Sequence, residues 1–233
     1  MKIAVIGAGN MGGALIKGWA KAGLTADLII TAQTQETLNR YTQVYPGIAS
    51  TLDNVVAAAE ADIVVLAVKP WLIQQVIAQI EHILKDKLLV SVAAGTRHER
   101  IDVYAMPNIA AEFGESMTFV EESEKAETVS QLFGKVGQCR IVPQRLMAAG
   151  MMMAGCGIAY VMRFLRAMME GGVEMGFYPD DAKQISMQTM LGALAYAIDK
   201  VTTPGGTTIK GLNELDHAAF SSAVIRCLKA GLK

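Results

Sequence analysis

The sequence has little of what marks a secreted, metal-binding or nucleic-acid-binding protein. Its three cysteines, Cys139, Cys156 and Cys227, are scattered and odd in number, with no Cys-x-x-Cys pair and no histidine at ligand spacing. This pattern predicts buried, reduced thiols in a cytoplasmic protein and excludes a disulfide framework. The formal net charge is −1, so charge gives no reason to expect nucleic acid or an anionic membrane surface as a partner.

The sequence also lacks a long run of strongly hydrophobic residues. Residues 146–162 carry no charge, but they are largely Gly, Ala and Met and are at the short limit for a membrane span. We therefore expect a core or subunit-interface helix there. The apolar run after Lys2 ends at Gly7 and Asn10, too early for a signal peptide.

The most informative stretch that is present is the first dozen residues. Lys2 to Ile6 predicts a buried parallel strand, and Asn10 to Ala22 has the apolar spacing of an amphipathic helix. Between them lies Gly-x-Gly-x-x-Gly, formed by Gly7, Gly9 and Gly12. In this position the glycines permit a tight turn, a close approach to a pyrophosphate and close packing of helix on strand.

Further strands end in small residues or in Lys-Pro. Ile63 to Val68 is an unbroken apolar run that stops at Lys69-Pro70, and Leu88 to Ala93 ends in Ala94-Gly95. Ligands of open α/β sheets bind at the carboxyl ends of strands. We therefore expect these strand ends to face a dinucleotide.

The end of the second predicted strand, Leu28 to Thr31, should select the cofactor. An NAD enzyme usually has a carboxylate there to accept the ribose 2′-hydroxyl. This chain has Ala32-Gln33-Thr34-Gln35 instead. Because Gln33 and Thr34 can donate to a 2′-phosphate, the sequence favours NADPH, with NADH possible.

The strand–helix alternation stops near Val142, and the remainder is helical. This predicts an α/β fold in which residues 1–143 form a Rossmann dinucleotide-binding domain with a mainly parallel sheet. Residues 144–233 are predicted to form an all-helical substrate and dimerisation domain, because apolar helices between Leu146 and Met169 favour a homodimer or higher homo-oligomer.

A polar turn, Thr202 to Thr208, interrupts the helical half. It reads Thr-Thr-Pro-Gly-Gly-Thr-Thr. One interpretation is a capped turn between helices. The other is a cradle for a carboxylate, built by the N–H groups of Gly206, Thr207 and Thr208 at a helix start.

Six motifs together resemble the pyrroline-5-carboxylate reductase family. They are Gly7 to Gly12, Ala67-Val-Lys-Pro70, Ala93-Ala-Gly95, Met106-Pro-Asn108, Gly155 to Tyr160 and Thr202 to Thr208, in the family's order and approximate spacing. The resemblance implies a Rossmann domain, an interlocked helical dimerisation domain, and hydride transfer from NADPH to the C=N carbon of 1-pyrroline-5-carboxylate, giving L-proline.

The resemblance also implies roles for individual residues. The substrate would be held by Thr203, Gly206, Thr207 and Thr208, with the hydroxyl of Thr208 nearest the ring nitrogen as the catalytic group. No metal is implied. The cofactor residues would be Ile6, Gly7, Ala8, Gly9, Asn10, Met11, Thr34, Asn54, Ala67, Val68, Lys69, Pro70, Ala93, Ala94 and Gly95.

The chain departs from the family at four places. It has Cys156-Gly157-Ile158 where the family commonly has Ser-Gly-Pro, and Ile109-Ala110 where the family has Thr-Pro. Two connections are short: 96–105 leaves little room for the family's helix and strand, and 195–201 lacks a loop.

Two other functions fit part of the pattern. A reductase of the β-hydroxyacid dehydrogenase or ketopantoate reductase type would need a catalytic lysine in the helical domain, where residues 144–197 contain only Lys183, in an acidic helix start. A dinucleotide-sensing module would bind cofactor without turnover, but it would have no need of the polar turn.

Overall fold

The fold is described from a computed structural model, which covers residues 1–194 and 207–231. Its centre is an eight-stranded sheet in the order β3-β2-β1-β4-β5-β6-β7-β8. The strands are β1 (Ile3–Ile6), β2 (Leu28–Thr31), β3 (Ala49–Thr51), β4 (Ile63–Leu66), β5 (Leu88–Ser91), β6 (Val103–Met106), β7 (Ser116–Glu121) and β8 (Gly137–Val142).

Ten α-helices lie within the described residues. They are α1 (Asn10–Lys21), α2 (Gln35–Thr42), α3 (Asn54–Ala59), α4 (Ile73–Ile80), α5 (Ala126–Phe133), α6 (Gln144–Gly150), α7 (Gly157–Glu174), α8 (Pro179–Ala193), α9 (Thr207–His217) and α10 (Phe220–Ala230).

The predicted mainly parallel sheet is confirmed. All neighbouring strands pair in parallel except β6 and β7, which are antiparallel. β1 and β4 are buried along their whole length because helices cover both faces of a parallel sheet. On one face Trp19 of α1 is fully buried, stacks edge-on against Phe133 with ring centroids 5.3 Å apart, and donates to the carbonyl of Leu132.

The connection between β5 and β6 differs from a standard crossover. Residues 92–102 are all described and contain no helix, yet they join two adjacent parallel strands. Parallel neighbours are usually joined through a helix. The short connection noted in the sequence therefore omits the helix but keeps the strand.

Ion pairs hold this helix-free crossover against the sheet. Arg97 bonds both carboxylate oxygens of Glu121 and stacks on Tyr104, its guanidinium carbon 4.3 Å from the ring centroid. At the other end Lys125 pairs with Asp102, which also accepts from the N–H of Leu89. These contacts replace part of the packing that a crossover helix would supply.

The chain divides into two compact units, Met1–Gly155 and Cys156–Lys233. The first unit extends past the predicted boundary at residue 143, because α6 packs on β7 and a Cβ atom at Gly150 would meet the ring of Phe119. A π-helical turn, Met151–Gly155, follows α6.

Length and composition alone would let the helical stretch Gln144–Glu174 cross a membrane.

The second unit has the predicted helical character. Pro179 begins α8 with Asp180 and Asp181 in its first turn, as the sequence indicates. The sequence favours a helix that runs from Pro179 to about Ile198; the part of this prediction beyond residue 194 lies outside the described residues. The expectation of buried cysteines is wrong: Cys139 and Cys156 are half-buried, and Cys227 is exposed in the single chain, where α10 buries no residue.

Candidate functional site

A cleft of about 910 Å³ lies at the carboxyl ends of β1, β2, β4 and β5. Strand order reverses between β1 and β4, and this is where open α/β sheets bind their ligands. Eleven residues predicted from the sequence to bind the cofactor line it: Gly7, Ala8, Gly9, Asn10, Met11, Ala67, Val68, Lys69, Pro70, Ala93 and Ala94.

Four other predicted cofactor residues are not among those that line the cleft. Ile6 is buried in β1, and Gly95 has a left-handed backbone (φ +73°) in the crossover. Asn54 begins α3 and accepts from the hydroxyl of Thr31 at 2.8 Å. The hydroxyl of Thr34 caps α2 by accepting from the N–H of Thr37.

The three glycines of the opening turn have distinct environments. Gly7 has φ +103°, and a Cβ atom there would lie 2.8 Å from Val68 Cγ1. At Gly12 a Cβ atom would overlap the carbonyl oxygen of Gly7. At Gly9 it would meet nothing within 4 Å. Gly7 and Gly12 are therefore required by packing, whereas the space in front of Gly9 is open to a ligand.

The start of α1 can bind a phosphate group. Gly9 is its N-cap, no side chain caps the helix, and its first turn has no acidic residue. The first N–H groups of a helix have no partner within the helix and carry positive potential. The backbone from Asn10 to Gly12 therefore suits a pyrophosphate, and the residues present fit a dinucleotide.

The end of β4 forms the opposite wall. Ala67 donates its N–H to the carbonyl of Ile6 at 2.9 Å, which continues the strand pairing by one residue. Pro70 then begins a short 3₁₀ turn, Pro70–Leu72, and directs the chain away from the sheet. Lys69 lines the cleft at this bend, as expected from its position at a strand end.

Several cleft residues were not predicted from the sequence, and four of them carry charged or phenolic side chains. Lys17 and Glu112 form an ion pair of 2.9 Å, and this hydrogen bond raises the pKa of Lys17. The hydroxyl of Tyr41 faces Gly13 and donates to the carbonyl of Ala8 at 3.4 Å, while burial raises its pKa. Arg40, within α2, also lines the cleft. The sequence gave no signal for these residues, because they lie outside the strand ends and the glycine turn where a ligand is expected.

Asn108, in the Met-Pro-Asn motif, is buried and fully engaged. It donates its N–H to Ser116 Oγ, its side-chain oxygen accepts from the N–H of Ala110, and its amide donates to the carbonyl of Ala154. The next residue, Ile109, lines the cleft at the position where the family has threonine. Asn108 thus positions the cleft wall.

The predicted substrate residues lie mostly at the edge of what the structure describes. Thr203 and Gly206 are outside the described residues. Thr207 begins α9, and Thr208 is exposed in its first turn. The free N–H groups of this first turn can bind a carboxylate, as the sequence suggests for this turn.

Comparisons with known proteins cover both halves of the chain. Residues 144–233 match the family model "Pyrroline-5-carboxylate reductase dimerisation", and residues 2–95 match "NADP oxidoreductase coenzyme F420-dependent". Pyrroline-5-carboxylate reductase of Methanosarcina acetivorans is 34% identical over 255 positions, covering 97% of this chain and 94% of that protein. The chain belongs to the pyrroline-5-carboxylate reductase family.

Two further comparisons agree with this membership. The Pisum sativum family member is 33% identical, with 98% of this chain and 92% of that protein covered. The NADP-bound structure of Plasmodium falciparum pyrroline carboxylate reductase superposes with a TM-score of 0.86 at 25% identity, over 99% of this chain and 95% of that one.

The alignment length also bears on the short connections. The Methanosarcina alignment extends over 255 positions, more than the 233 residues of this chain. That relative therefore has segments that this chain lacks. The helix-free crossover from β5 to β6 is consistent with one such difference.

Proposed function

We propose that this protein reduces 1-pyrroline-5-carboxylate to L-proline with NADPH, the final step of proline biosynthesis. The cofactor supplies a hydride to the C=N carbon, and the ring nitrogen gains a proton, so an imine becomes a secondary amine. NADH is the less favoured donor. The observation that carries the proposal is the cleft in front of Gly9, in a chain that belongs to this reductase family along 97% of its length.

The first unit's contribution is to bind and orient the dinucleotide. Backbone N–H groups at the start of α1 hold the pyrophosphate, and Ala67 to Pro70 and Ala93-Ala94 form the walls beside it. Small side chains at these strand ends let the cofactor approach the sheet. NADP in the Plasmodium falciparum relative supports NADPH as the cofactor here.

The substrate's carboxylate is assigned to the polar turn. The N–H groups of Gly206, Thr207 and Thr208 neutralise the carboxylate, and Thr203 and Thr208 supply hydroxyls. The Thr208 hydroxyl lies nearest the ring nitrogen in this assignment and transfers or orients the proton. Hydride transfer to a protonated imine depends on orientation and charge neutralisation more than on a strong general acid.

The described side chains fit a reaction without a histidine acid. His82 and His217 are exposed, His217 beside Glu214, and none of the three histidines lines the cleft. The lysine that a β-hydroxyacid-type reductase would use is also poorly placed, since Lys183 is exposed in the first turns of α8.

The proposal includes a homodimer or higher homo-oligomer built through the C-terminal helices, in the cytoplasm. Many apolar side chains of the second unit are exposed in the single chain, among them Val161, Met162 and Leu191. The dimerisation family model covers the same region. Three unpaired cysteines suit a reducing compartment.

The test uses purified full-length protein with NADPH and pyrroline-5-carboxylate. We expect loss of reduced-nicotinamide absorbance and an equal amount of proline by chromatography. Ketopantoate or a β-keto acid, the carbonyl substrates that the alternative reductases would reduce, should give no oxidation of NADPH. NADPH binding without proline formation would contradict the proposal and favour a dinucleotide sensor. Light scattering coupled to size-exclusion chromatography measures the oligomer.

A further inference from the structure

A positively charged side chain, Arg40 of α2, lies at the end of the cleft beside β2. It is several residues away from the end of that strand in the sequence. Gln33, Thr37 and Arg40 line this end, where the adenosine ribose of a dinucleotide lies when the pyrophosphate is on α1. Thr34 does not line it. Its hydroxyl accepts from the N–H of Thr37 and lies 3.0 Å from the Thr37 hydroxyl, so it is engaged in capping α2.

Arg40 is held on an exposed surface by one neighbour. Its Nη2 lies 2.6 Å from Glu36 Oε1, one helical turn earlier, and both side chains are more than two-thirds exposed. Exposed pairs of this kind are weak and easily exchanged. A phosphate accepts two parallel N–H bonds from a guanidinium and carries more charge than a carboxylate.

The neighbouring Tyr41 anchors the part of the α2 backbone that carries Arg40. The Tyr41 hydroxyl donates to the carbonyl of Ala8 within the glycine turn and faces Gly13 of α1. This contact ties α2 to the turn that binds the pyrophosphate. The backbone of the adjacent residue, Arg40, is therefore held close to the turn that binds the pyrophosphate.

We propose that Arg40, together with Thr37 and Gln33, binds the 2′-phosphate of NADPH, and that exchange of Arg40 from Glu36 to this phosphate sets the preference for NADPH over NADH. The proposal rests on the proposed use of a nicotinamide dinucleotide. The sequence favoured Thr34 as a contact of the 2′-phosphate; the proposal assigns this contact instead to residues on the cleft-facing side of α2. Glu36 opposes binding of the phosphate by holding Arg40 and by its own negative charge.

The experiment measures dissociation constants by calorimetry for NADP⁺, NAD⁺, 2′,5′-ADP and 5′-ADP, without substrate. Arg40→Gln should weaken NADP⁺ and 2′,5′-ADP by about tenfold or more and leave NAD⁺ and 5′-ADP within about twofold. Glu36→Gln should tighten NADP⁺ by about two- to fivefold. Arg166→Gln is the matched control, since Arg166 pairs with Glu170 in the same spacing on α7 of the second unit.

Each other result would overturn the assignment. Equal weakening of NADP⁺ and NAD⁺ by Arg40→Gln would show a general role in folding or adenosine binding, and no weakening would place the 2′-phosphate elsewhere. Wild-type protein that binds NAD⁺ as well as NADP⁺ would also overturn it. Failure of the reductase proposal is distinguishable, because it would leave these binding differences intact while no proline forms.

Discussion

The side-chain amide of Asn108 donates a hydrogen bond to the carbonyl of Ala154, 3.2 Å away and 46 residues later in the chain. Ala154 lies in the π-helical turn, where the helical hydrogen-bond ladder is shifted. The bond therefore joins the cleft-wall motif to the irregular turn that precedes α7. Its partner atoms are buried or half-buried, so its loss would leave polar groups unpaired.

Asn108→Asp should lower the free energy of unfolding by about 1–3 kcal/mol, because the aspartate keeps the oxygen that accepts from Ala110 but turns a second oxygen towards the Ala154 carbonyl. Urea unfolding followed by the fluorescence of buried Trp19 measures this. Asn213→Asp, at an exposed site in α9, is the control. Equal stability of Asn108→Asp and wild type would show that the bond contributes little.

Gly9→Ala should separate cofactor binding from folding. A methyl group at Gly9 enters the open space assigned to the pyrophosphate, so we expect NADP⁺ affinity to fall by about tenfold or more. Unfolding free energy should change by less than about 1 kcal/mol, since the backbone there has φ −79°. Gly7→Ala, at φ +103°, should instead lose about 1–3 kcal/mol. Unchanged NADP⁺ affinity in Gly9→Ala would argue against the pyrophosphate assignment.

Thr208→Ala should reduce proline formation by about tenfold or more while NADP⁺ affinity stays within about twofold, because the hydroxyl is assigned to the substrate. Steady-state kinetics and calorimetry on the same preparation measure both. The control is Thr189→Ala, which removes an exposed hydroxyl from α8. Parallel losses of turnover and cofactor affinity would mean that the substrate site has been assigned to the wrong residue.

Arg97→Gln should loosen the helix-free crossover. The carboxylate of Glu121 is only 15% exposed, and it would lose both bonds to the guanidinium. We expect a loss of about 1–3 kcal/mol in unfolding free energy. NADP⁺ should also bind about threefold less tightly, because the crossover carries Ala93 and Ala94.

Arg97→Lys should recover only part of the stability, since lysine lacks the paired donors, and full recovery would contradict a two-point bond. Arg140→Gln, at an exposed site on β8, is the control.

Stability should fall at alkaline pH partly because of Tyr41 and Lys17. The folded pKa of Tyr41 is raised above 10.0 by burial, so the unfolded chain ionises first and stability is lost as pH rises above that value. The pKa of Lys17 is raised above 10.5 by its bond to Glu112, so its contribution is complete below pH 10.5 and is lost as pH rises through the folded value.

Tyr41→Phe should therefore show a shallower alkaline decline in urea unfolding than wild type. Tyr178→Phe, at an exposed tyrosine, should not, and parallel curves for all three proteins would exclude a contribution from Tyr41.

The sequence predicted most reliably those elements whose local residue pattern matches their position in the sheet. β1, the glycine turn and α1 were predicted because a buried strand, special backbone positions and an amphipathic helix leave separate signals within 22 residues. Asp53 shows the same kind of local signal, since aspartate is favoured at helix N-caps, and it caps α3 by accepting from the N–H groups of Val55 and Val56.

The remaining features depend on packing between distant residues. Arg40 lies six residues beyond Thr34, and only the placement of α2 shows that it faces the cleft. One local signal was available: Thr34 directly precedes a helix, which favours a capping role over ligand binding. Likewise, the pairing of Arg97 with Glu121 crosses 24 residues and has no sequence periodicity.

The helix-free crossover has a consequence for the order in which the chain folds. β5 and β6 are neighbours in the sheet and are separated only by residues 92–102, so pairing them closes a short loop. Loop closure costs less entropy for a shorter segment, and contacts between nearby residues form faster than contacts between distant ones. We therefore expect this pair to be an early parallel pairing in the sheet, from which β4 on one side and β7 on the other can add.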